Sequence, residues 1–392
     1  MSAGTPGAPA PGAFAACDRQ AMSRALELAA RGLETTHPNP RVGCVILKDG
    51  RLIGEGWHER AGDGHAEVEA LRAARAAGEA DGLAGATAYV TLEPCSHHGR
   101  TAPCVDALIE ARIARVVFAM QDPDPRVSGR GAARLRSAGI RVESGLLEGE
   151  AAELNAGYVK RQTTRRPWVR LKLAASLDGR TALASGASRW ITGEEAREDV
   201  QRWRARSSAV LTGIGTVLAD DPRLDVRRPG AAVRQPARIV LDAALRTPPA
   251  ARLFSAGGPV WIFTASQDAQ RRRALEASGA RIEHVPLGSA ADGAAAGLDL
   301  KGVLERLAEA EMNEVHVEAG ATLAGSFVRE RLVDELLLYT APILLGPQAR
   351  PLAELPQLAH LRCAPRWTIV GTDRFGADLR MRLRPLDGPA QG

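Results

Sequence analysis

A two-domain α/β protein is predicted from three observations. Strand-type segments alternate with segments of helical period along most of the chain, 392 residues exceed what one core usually organises, and the two halves carry different motifs with no internal repeat. Hydrophobic residues at 45% and charged residues at 25% are the balance of an ordinary globular protein. No apolar run reaches the roughly eighteen residues of a membrane span, and no charged stretch followed by an apolar core opens the chain. A cytoplasmic protein with no membrane partner is expected. Five cysteines (Cys17, Cys44, Cys95, Cys104, Cys363), odd in number and scattered, make no disulfide framework and suit a reducing compartment. The net charge of +5 is spread over dispersed arginines, and aromatics at 4% leave few stacking platforms, so nucleic acid is not an expected partner.

Taken in order, residues 1–16 are rich in Ala, Gly and Pro and read as a disordered tail. A first domain over 17–148 follows. Asp18 can cap a helix running to about Arg31, with Met22, Ala25, Leu28 and Ala29 at helical spacing. Val42 to Lys48 and Leu52 to Glu55 read as strands joined through Asp49-Gly50, a two-residue hairpin signal. The pattern from Ala66 to Ala77 is helical, which puts His65 and Glu67 at a helix start. Ala88 to Leu92 is a short buried strand leading to Cys95, and Pro103 opens a helix carrying Cys104 and Leu108. Arg115 to Met120 is a further strand, followed by a Pro-containing loop and a helix near Gly131 to Ala138, so that helices sandwich a sheet.

Residues 149–166 read as a helix followed by linker, broken at Arg165-Arg166-Pro167, and a second domain covers 167–386. There, strands are expected at Trp168 to Ala174, Val210 to Thr212, Arg238 to Leu241, Val260 to Phe263, Ile282 to Val285, Glu314 to Val317 and Glu335 to Tyr339. Helices fit Glu194 to Ala205, Gln267 to Ala277, Gly302 to Glu309 and Ala321 to Arg329, and Leu287 to Leu298 reads as a loop insertion. This alternation argues for a mostly parallel sheet covered on both faces, with ligands at the carboxyl ends of its strands.

The chemistry-bearing residues of the first half are His65-Ala66-Glu67, Thr91-Leu92-Glu93-Pro94-Cys95 and Pro103-Cys104. A catalytic zinc takes three protein ligands, imidazole nitrogen and thiolate among them, and leaves its fourth position open. His65, Cys95 and Cys104 fill that count, and Glu67, not needed as a ligand, is the candidate general acid/base. Two buried thiols beside a helix-capping histidine would be the plain structural alternative. Zinc nucleobase deaminases carry H-x-E followed by P-C-x-x-C. This chain keeps the first element but parts its two cysteines by eight residues.

The stretches His37-Pro38-Asn39-Pro40 with Val42-Gly43, Gly64-His65-Ala66-Glu67, and Glu93-Pro94-Cys95-Ser96-His97-His98-Gly99-Arg100-Thr101 resemble the bifunctional riboflavin-biosynthesis deaminase/reductase family, RibD, whose cysteines have this wide interval. The resemblance runs from about Asp18 to about Arg384. It implies an N-terminal cytidine-deaminase-like three-layer αβα domain and a C-terminal dihydrofolate-reductase-like α/β domain. The activity implied is zinc-dependent hydrolytic deamination of 2,5-diamino-6-ribosylamino-4(3H)-pyrimidinone 5′-phosphate. NADPH-dependent reduction of the ribosyl chain then yields 5-amino-6-ribitylamino-uracil 5′-phosphate. Zn2+ and NADPH are the cofactors implied. His37 and Asn39 would line the pyrimidine pocket.

In the second half no G-x-G-x-x-G follows a strand, so an ordinary dinucleotide fingerprint is lacking. Val317 to Ser326 instead reads as strand end, glycine turn and helix start, a layout that presents backbone N–H groups to a pyrophosphate. The segments Leu171 to Arg180, Ser188 to Thr192 and Thr216 to Pro222 resemble the reductase half of the same family. The resemblance assigns NADPH to Ala175, Trp190, Thr216, Asp220, Gly320, Ala321, Thr322, Leu323, Ala324, Gly325 and Ser326. It assigns substrate to Ser188, Arg204, Leu224, Arg227 and Glu318; Arg204 and Arg227 suit a ribose phosphate, since guanidinium binds phosphate oxygens in pairs. Lys172 and Asp178 are the candidate catalytic proton sources for the hydride step, although Asp178-Gly179 also fits a turn. The expected partners are the small phosphorylated pyrimidine and further copies of the chain in a homo-oligomer. Two other readings are a nucleic-acid base deaminase whose C-terminal domain binds without reducing, and a C-terminal half that serves only oligomerisation or ligand sensing.

Overall fold

The computed structural model describes residues 14–96, 102–228, 234–288 and 297–386. The greater part of the expected tail, the motif residues His97 to Thr101 and most of the expected loop insertion lie outside them. Two compact units divide between Thr163 and Thr164.

The first unit runs α1 (Ala16–Ala30), β1 (Gly43–Lys48), β2 (Arg51–Trp57), α2 (Ala66–Ala76), β3 (Thr87–Leu92), α3 (Cys104–Glu110), β4 (Arg115–Met120), α4 (Arg130–Ser137), β5 (Arg141–Ser144), α5 (Glu148–Leu154) and α6 (Ala156–Thr164). Its sheet has the order β2-β1-β3-β4-β5. The two pairings of β1 are antiparallel, and those of β3 with β4 and β4 with β5 are parallel. Asp49 and Gly50 both take positive φ, 50° and 77°, as the two-residue turn between β1 and β2 demands. One face of the sheet packs Ile46, Ala88, Val90 and Val116 against Ala70, Leu71, Val105, Leu108 and Leu135 of α2, α3 and α4. The other packs Val45, Tyr89 and Val117 against Met22, Ala25 and Leu28 of α1 and Ala151 of α5, which completes three layers.

Asp18 is not the N-cap of α1. It sits one turn inside, where its carboxylate accepts from Ala15 N at 3.0 Å, Tyr89 Oη at 2.6 Å and Arg115 Nη1 at 2.7 Å, so it ties the helix to the sheet. Burial would raise its pKa; the hydrogen bonds from Arg115 and Tyr89 outweigh that and hold it down to about 2. The stretch 149–166 is not extended linker. Two helices occupy nearly all of it, and between them Asn155 donates to Arg41 O at 2.9 Å and accepts from Arg41 N at 2.8 Å.

The second unit runs β6 (Trp168–Ser176), β7 (Arg180–Ala182), α7 (Glu194–Arg206), β8 (Ala209–Gly213), α8 (Ile214–Asp220), β9 (Ala237–Leu241), β10 (Val260–Thr264), α9 (Ala269–Ala277), β11 (Ala280–His284), α10 (Leu300–Glu309), β12 (Glu314–Glu318), α11 (Ala321–Arg329), β13 (Glu335–Ala341), β14 (Arg350–Pro351), β15 (Trp367–Phe375) and β16 (Asp378–Pro385). Nine strands form one sheet in the order β11-β10-β9-β8-β12-β6-β13-β16-β15, parallel up to β13 and antiparallel beyond. Helices cover both faces. Val303, Leu304 and Leu307 of α10 and Ala324 and Phe327 of α11 pack on Leu211, Ile239, Val315 and Val317, while Val217 of α8 and Leu275 of α9 pack on Val240 and Ile262.

The hairpin β15–β16 is the largest of several elements that period reading leaves out, with β5, β7, α8 and β14. Arg380, Arg382 and Arg384 alternate with apolar residues as on a half-solvated strand, yet Arg380 reaches buried Asp199 at 2.5 Å and Arg382 reaches buried Glu335 at 2.6 Å. Glu335 in turn pairs with Arg170, which also binds Glu314, so a layer of ion pairs lies between this part of the sheet and α7.

Candidate active sites

In the first unit the ends of three elements converge. His65 is the N-cap of α2, Cys95 lies three residues beyond β3, and Cys104 opens α3 after Pro103. Their ligand atoms all lie within 4.8 Å of one another, with His65 Nδ1 3.1 Å from Cys104 Sγ and 3.6 Å from Cys95 Sγ. A tetrahedral zinc with ordinary Zn–N and Zn–S bonds needs such ligand atoms roughly 3.5–3.8 Å apart, so the three residues fit that ion in donor type and come close to it in spacing, with His65 and Cys104 a few tenths of an ångström too near. Among the described residues no other His, Cys, Asp or Glu group is so placed.

Helix N-termini favour thiolate here. Cys104 N donates to Cys95 Sγ at 3.4 Å and Val105 N to Cys95 O at 3.3 Å. The Cys104 thiol hydrogen-bonds Cys95, which together with His65 holds the Cys95 thiol down to about 4, while the same contact and burial push Cys104 up. A bound dication would displace the thiol protons. Glu67 is buried in the first turn of α2, and burial raises its pKa against the pull of His65. A buried carboxyl beside the ligand set is placed to take and return a proton.

Two residues supporting this site, His58 and Asn155, lie outside the motifs, and a third, Glu93, lies within one without its role being readable from it. His58, buried, bridges Asn39 Nδ2 at 3.0 Å and Gly64 O at 3.0 Å, and its ring stands edge-on to His65 at 5.4 Å. Asn39 is thereby brought next to the metal-ligand set, in a loop that Asn155 clamps through Arg41. Glu93, buried at the end of β3, accepts from Gly129 N at 2.9 Å, Ala132 N at 3.0 Å and Asp122 N at 3.4 Å, and so caps α4 from a distant strand. Gly131 lies against this segment so closely that a Cβ would come 2.0 Å from Pro94 O. The signal for Glu93 was a lone charge closing an apolar strand, which must find partners when buried.

In the second unit the carboxyl ends of β6, β8 and β12 gather most of the expected residues. Glu318 and Lys172 are register partners across β12 and β6. Arg204 of α7 grips Glu318 with Nε at 2.5 Å and Nη2 at 2.8 Å and donates Nη1 to Asp225 O at 2.9 Å. Burial would raise the Glu318 pKa, but Arg204 holds it well below the usual carboxylate range. Leu224, with φ of 53°, and Arg227, whose Nη1 donates to Asp225 Oδ1 at 2.6 Å, flank the same Asp225. Lys172 is pulled below its usual range by burial.

Gly320 is the N-cap of α11, directly after β12, so the backbone N–H groups of Ala321, Thr322 and Leu323 are those an α-helix leaves open for a phosphate. Ala324 and Gly325 are buried, Gly325 against the backbone of Glu354, and Ser326 bonds back to Thr322 O at 3.1 Å, so these three turn away from the open end of the helix. Thr216 and Asp220 lie on α8, and Asp220 O accepts from Nη2 of Arg189, the chain neighbour of Trp190, at 3.0 Å. Trp190 is 69% exposed, with Arg197 4.6 Å from its ring centre. Ala175 is buried on β6, and Ser188 is half-buried ahead of α7.

Asp178 lies at a turn after β6. Its carboxylate accepts from Ser176 Oγ at 2.5 Å, Leu345 N at 3.1 Å and Gly346 N at 2.8 Å, which hold it at about 2, and Gly179 N closes a turn on Ser176 O. These bonds bracket the turn and favour the carboxylate form.

Both units match known protein families. Residues 15–120 match the cytidine and deoxycytidylate deaminase zinc-binding region, and residues 167–381 match the RibD C-terminal domain. The chain is 48% identical over 377 residues to riboflavin biosynthesis protein RibD of Escherichia coli (strain K12), covering 93% of this chain and 99% of that protein. It is 44% identical to the RibD of Haemophilus influenzae, covering 95% and 98%. Among solved structures, Acinetobacter baumannii RibD superposes with a TM-score of 0.85 at 44% identity, covering 94% of this chain and 99% of that one. A deaminase/reductase from Thermotoga maritima superposes with 0.82 at 35% identity, with the same coverages of 94% and 99%.

Proposed function

The chain belongs to the RibD family of bifunctional riboflavin-biosynthesis enzymes, and from that membership we propose how its residues divide the two reactions. The enzyme is a zinc-dependent hydrolytic deaminase of 2,5-diamino-6-ribosylamino-4(3H)-pyrimidinone 5′-phosphate and an NADPH-dependent reductase of the resulting ribosyl chain. The reading of a base deaminase with a merely binding C-terminal half is set aside, because residues 167–381 match the reductase domain.

His65, Cys95 and Cys104 hold the zinc, which when bound makes a water acidic enough to act as a nucleophile at neutral pH. Glu67 would pass one proton of the attacking water to the ring nitrogen and then carry a second, from the new hydroxyl, to the departing amine. Asn39, aligned by His58, orients the pyrimidine. The observation that carries this half is the convergence of three ligand atoms within 4.8 Å beside a buried carboxyl.

In the second unit NADPH supplies the hydride. Ala321, Thr322 and Leu323 receive its pyrophosphate with backbone N–H groups, and Trp190, Thr216 and Asp220 line its course. Arg204 fixes the Glu318 carboxylate toward the substrate hydroxyl groups, and Arg227 offers its exposed edge to the ribose phosphate beside Ser188 and Leu224. Lys172, made more acidic by burial, gives the proton needed by the heteroatom next to the carbon that accepts hydride.

The enzyme acts in the cytoplasm as a homo-oligomer. Among the described residues no helix is long and apolar enough to cross a membrane, and edge strand β15 leaves Ile369 and Val370 55% and 45% exposed, a surface suited to a second copy. Addition of the diaminopyrimidine substrate with NADPH tests the whole reading. Nicotinamide oxidation that disappears on zinc removal is expected. Oxidation that persists after zinc removal would show the two steps are not ordered as proposed.

A further inference from the structure

Lys172, the residue assigned to proton delivery, lies on β6 between the parallel strands β12 and β13. Its register partners are Glu318 on β12 and Leu337 on β13. Both oxygens of Glu318 are taken by Arg204. Among the described residues the Lys172 ammonium makes no hydrogen bond and no ion pair. What it meets is Tyr339, two residues beyond Leu337 on the same face of the sheet, with Nζ 5.9 Å from the centre of the ring. An aromatic face is negative and attracts an ammonium placed within about 6 Å of its centre.

The ring is itself fixed. Tyr339 is 1% exposed, and its hydroxyl donates to Asp199 Oδ2 at 2.6 Å. Trp203 Nε1 donates to the same oxygen at 3.2 Å and Arg380 Nη1 at 2.5 Å, so α7 and β16 together hold the ring from behind. The other charges around Lys172 are spent on one another: Glu318 of β12 on Arg204 of α7, Asp199 of α7 on Arg380, and Glu335 of β13 on Arg170 and Arg382. Burial disfavours the ammonium, Glu318 favours it and Arg204 opposes it. The Tyr339 ring adds to the favourable side.

We propose that Tyr339 is a positioning residue for the reductase step, its ring face holding the Lys172 ammonium beside Glu318 without engaging any of its hydrogens. This rests on Lys172 as the proton source. An ammonium carries three N–H donors, and a ring contact leaves them for the heteroatom to be protonated and for its neighbours. A carboxylate in the place of the ring would hold the ammonium as firmly, but it would occupy those donors and make Lys172 a weaker acid.

The chain has four lysines, Lys48, Lys160, Lys172 and Lys301, so NMR of the full-length protein with lysine labelled at Cε resolves few signals, and the one lost in Lys172→Met is that of Lys172. Its titration without cofactor reads the ring directly. Tyr339→Leu should lower the midpoint by about 0.5 to 1 pH unit, and Tyr339→Phe, which keeps the ring, by less than half as much. The basic limb of the reductase kcat should move with the midpoint while ammonia release is unchanged. If Tyr339→Leu does not fold, pentafluorophenylalanine at position 339, which keeps the shape and reverses the charge of the ring face, should give the same shift. A shift in Tyr339→Phe as large as in the ring-altering variant, or none in either, overturns the role of Tyr339 and leaves Lys172 standing. A basic limb that survives in Lys172→Met shows that Lys172 is not the proton source, and the proposal falls with it.

Discussion

Arg204 holds Glu318 by both carboxylate oxygens, and the pair is nearly closed to solvent, with side chains 9% and 16% exposed. Because Glu318 also faces Lys172 in register, any loosening of this grip moves the groups assigned to substrate hydroxyls and to proton delivery together. Arg204→Lys keeps the charge but cannot reach both oxygens. It should raise the reductase KM for the pyrimidine substrate at least about tenfold while ammonia release persists. Arg204→Ala, which strands a buried carboxylate, should in addition destabilise the second unit by about 3–5 kcal/mol in denaturant unfolding. A Lys variant with unchanged KM would remove the pair from substrate binding.

Glu67 is assigned a proton-transfer role and no ligand role. Glu67→Gln should therefore retain zinc at one equivalent by atomic absorption while ammonia release falls by about 10²- to 10⁴-fold. Loss of the metal in that variant would mean the carboxylate helps hold it.

Glu93 takes three backbone N–H groups of the Asp122–Ala132 segment two residues ahead of Cys95. Glu93→Ala leaves those donors buried without an acceptor. Zinc should be lost to a competing chelator about 10- to 100-fold more readily, the scale seen when supporting partners of metal ligands are removed. The Co2+-loaded protein should show an altered thiolate-to-metal band. An unchanged chelator competition would confine Glu93 to capping α4.

Burial raises Asp122 to about 6, with the carboxylates of Asp124 and Glu93 adding to the shift against hydrogen bonds from Asp124 N and Tyr158 Oη. Its ordinary value is 3.8. Between these values the unfolded chain has given up a proton that the folded chain retains, so the first unit loses stability as pH rises from about 4 to about 6. Asp122→Asn removes that loss. It should stabilise above about pH 6 by about 2–3 kcal/mol and make no difference below about pH 4. Equal stability of the two proteins at pH 8 would count against a raised Asp122.

Lys172 and Asp178 should separate cleanly. Lys172→Met should lower the reductase kcat by about 10²- to 10⁴-fold and remove the basic limb of its pH profile. Asp178→Asn, which alters a turn bracket, should leave that limb in place. A lost limb in the Asn variant would restore Asp178 as a proton source.

The zinc site is legible in the chain because its ligands are rare residue types at ends of well-patterned elements: five cysteines in all, two of them adjoining a strand end and a helix start. The parallel sheet is equally plain from alternating apolar strands and helices. Asp18 was misplaced by three residues because a carboxylate in the first turn and one at the N-cap look alike in a string. The layer around Arg170, Glu314, Glu335 and Arg382 is hidden for another reason: charged residues at period two read as a solvated face, and only three-dimensional pairing turns them inward. The Arg204–Glu318 pair joins residues 114 positions apart, beyond any local pattern.

The capping of α4 by Glu93 spans 36 to 39 positions of chain, onto a helix of only 8 residues. A helix that short has little stability of its own. Its first turn can resist solvent exchange only once β3 lies beside β4, where Glu93 N bonds Met120 O at 3.0 Å. The amides of Gly129 and Ala132 are thus built-in reporters: their deuterium uptake reads out the integrity of the strand that carries Cys95, from a place no metal ligand occupies.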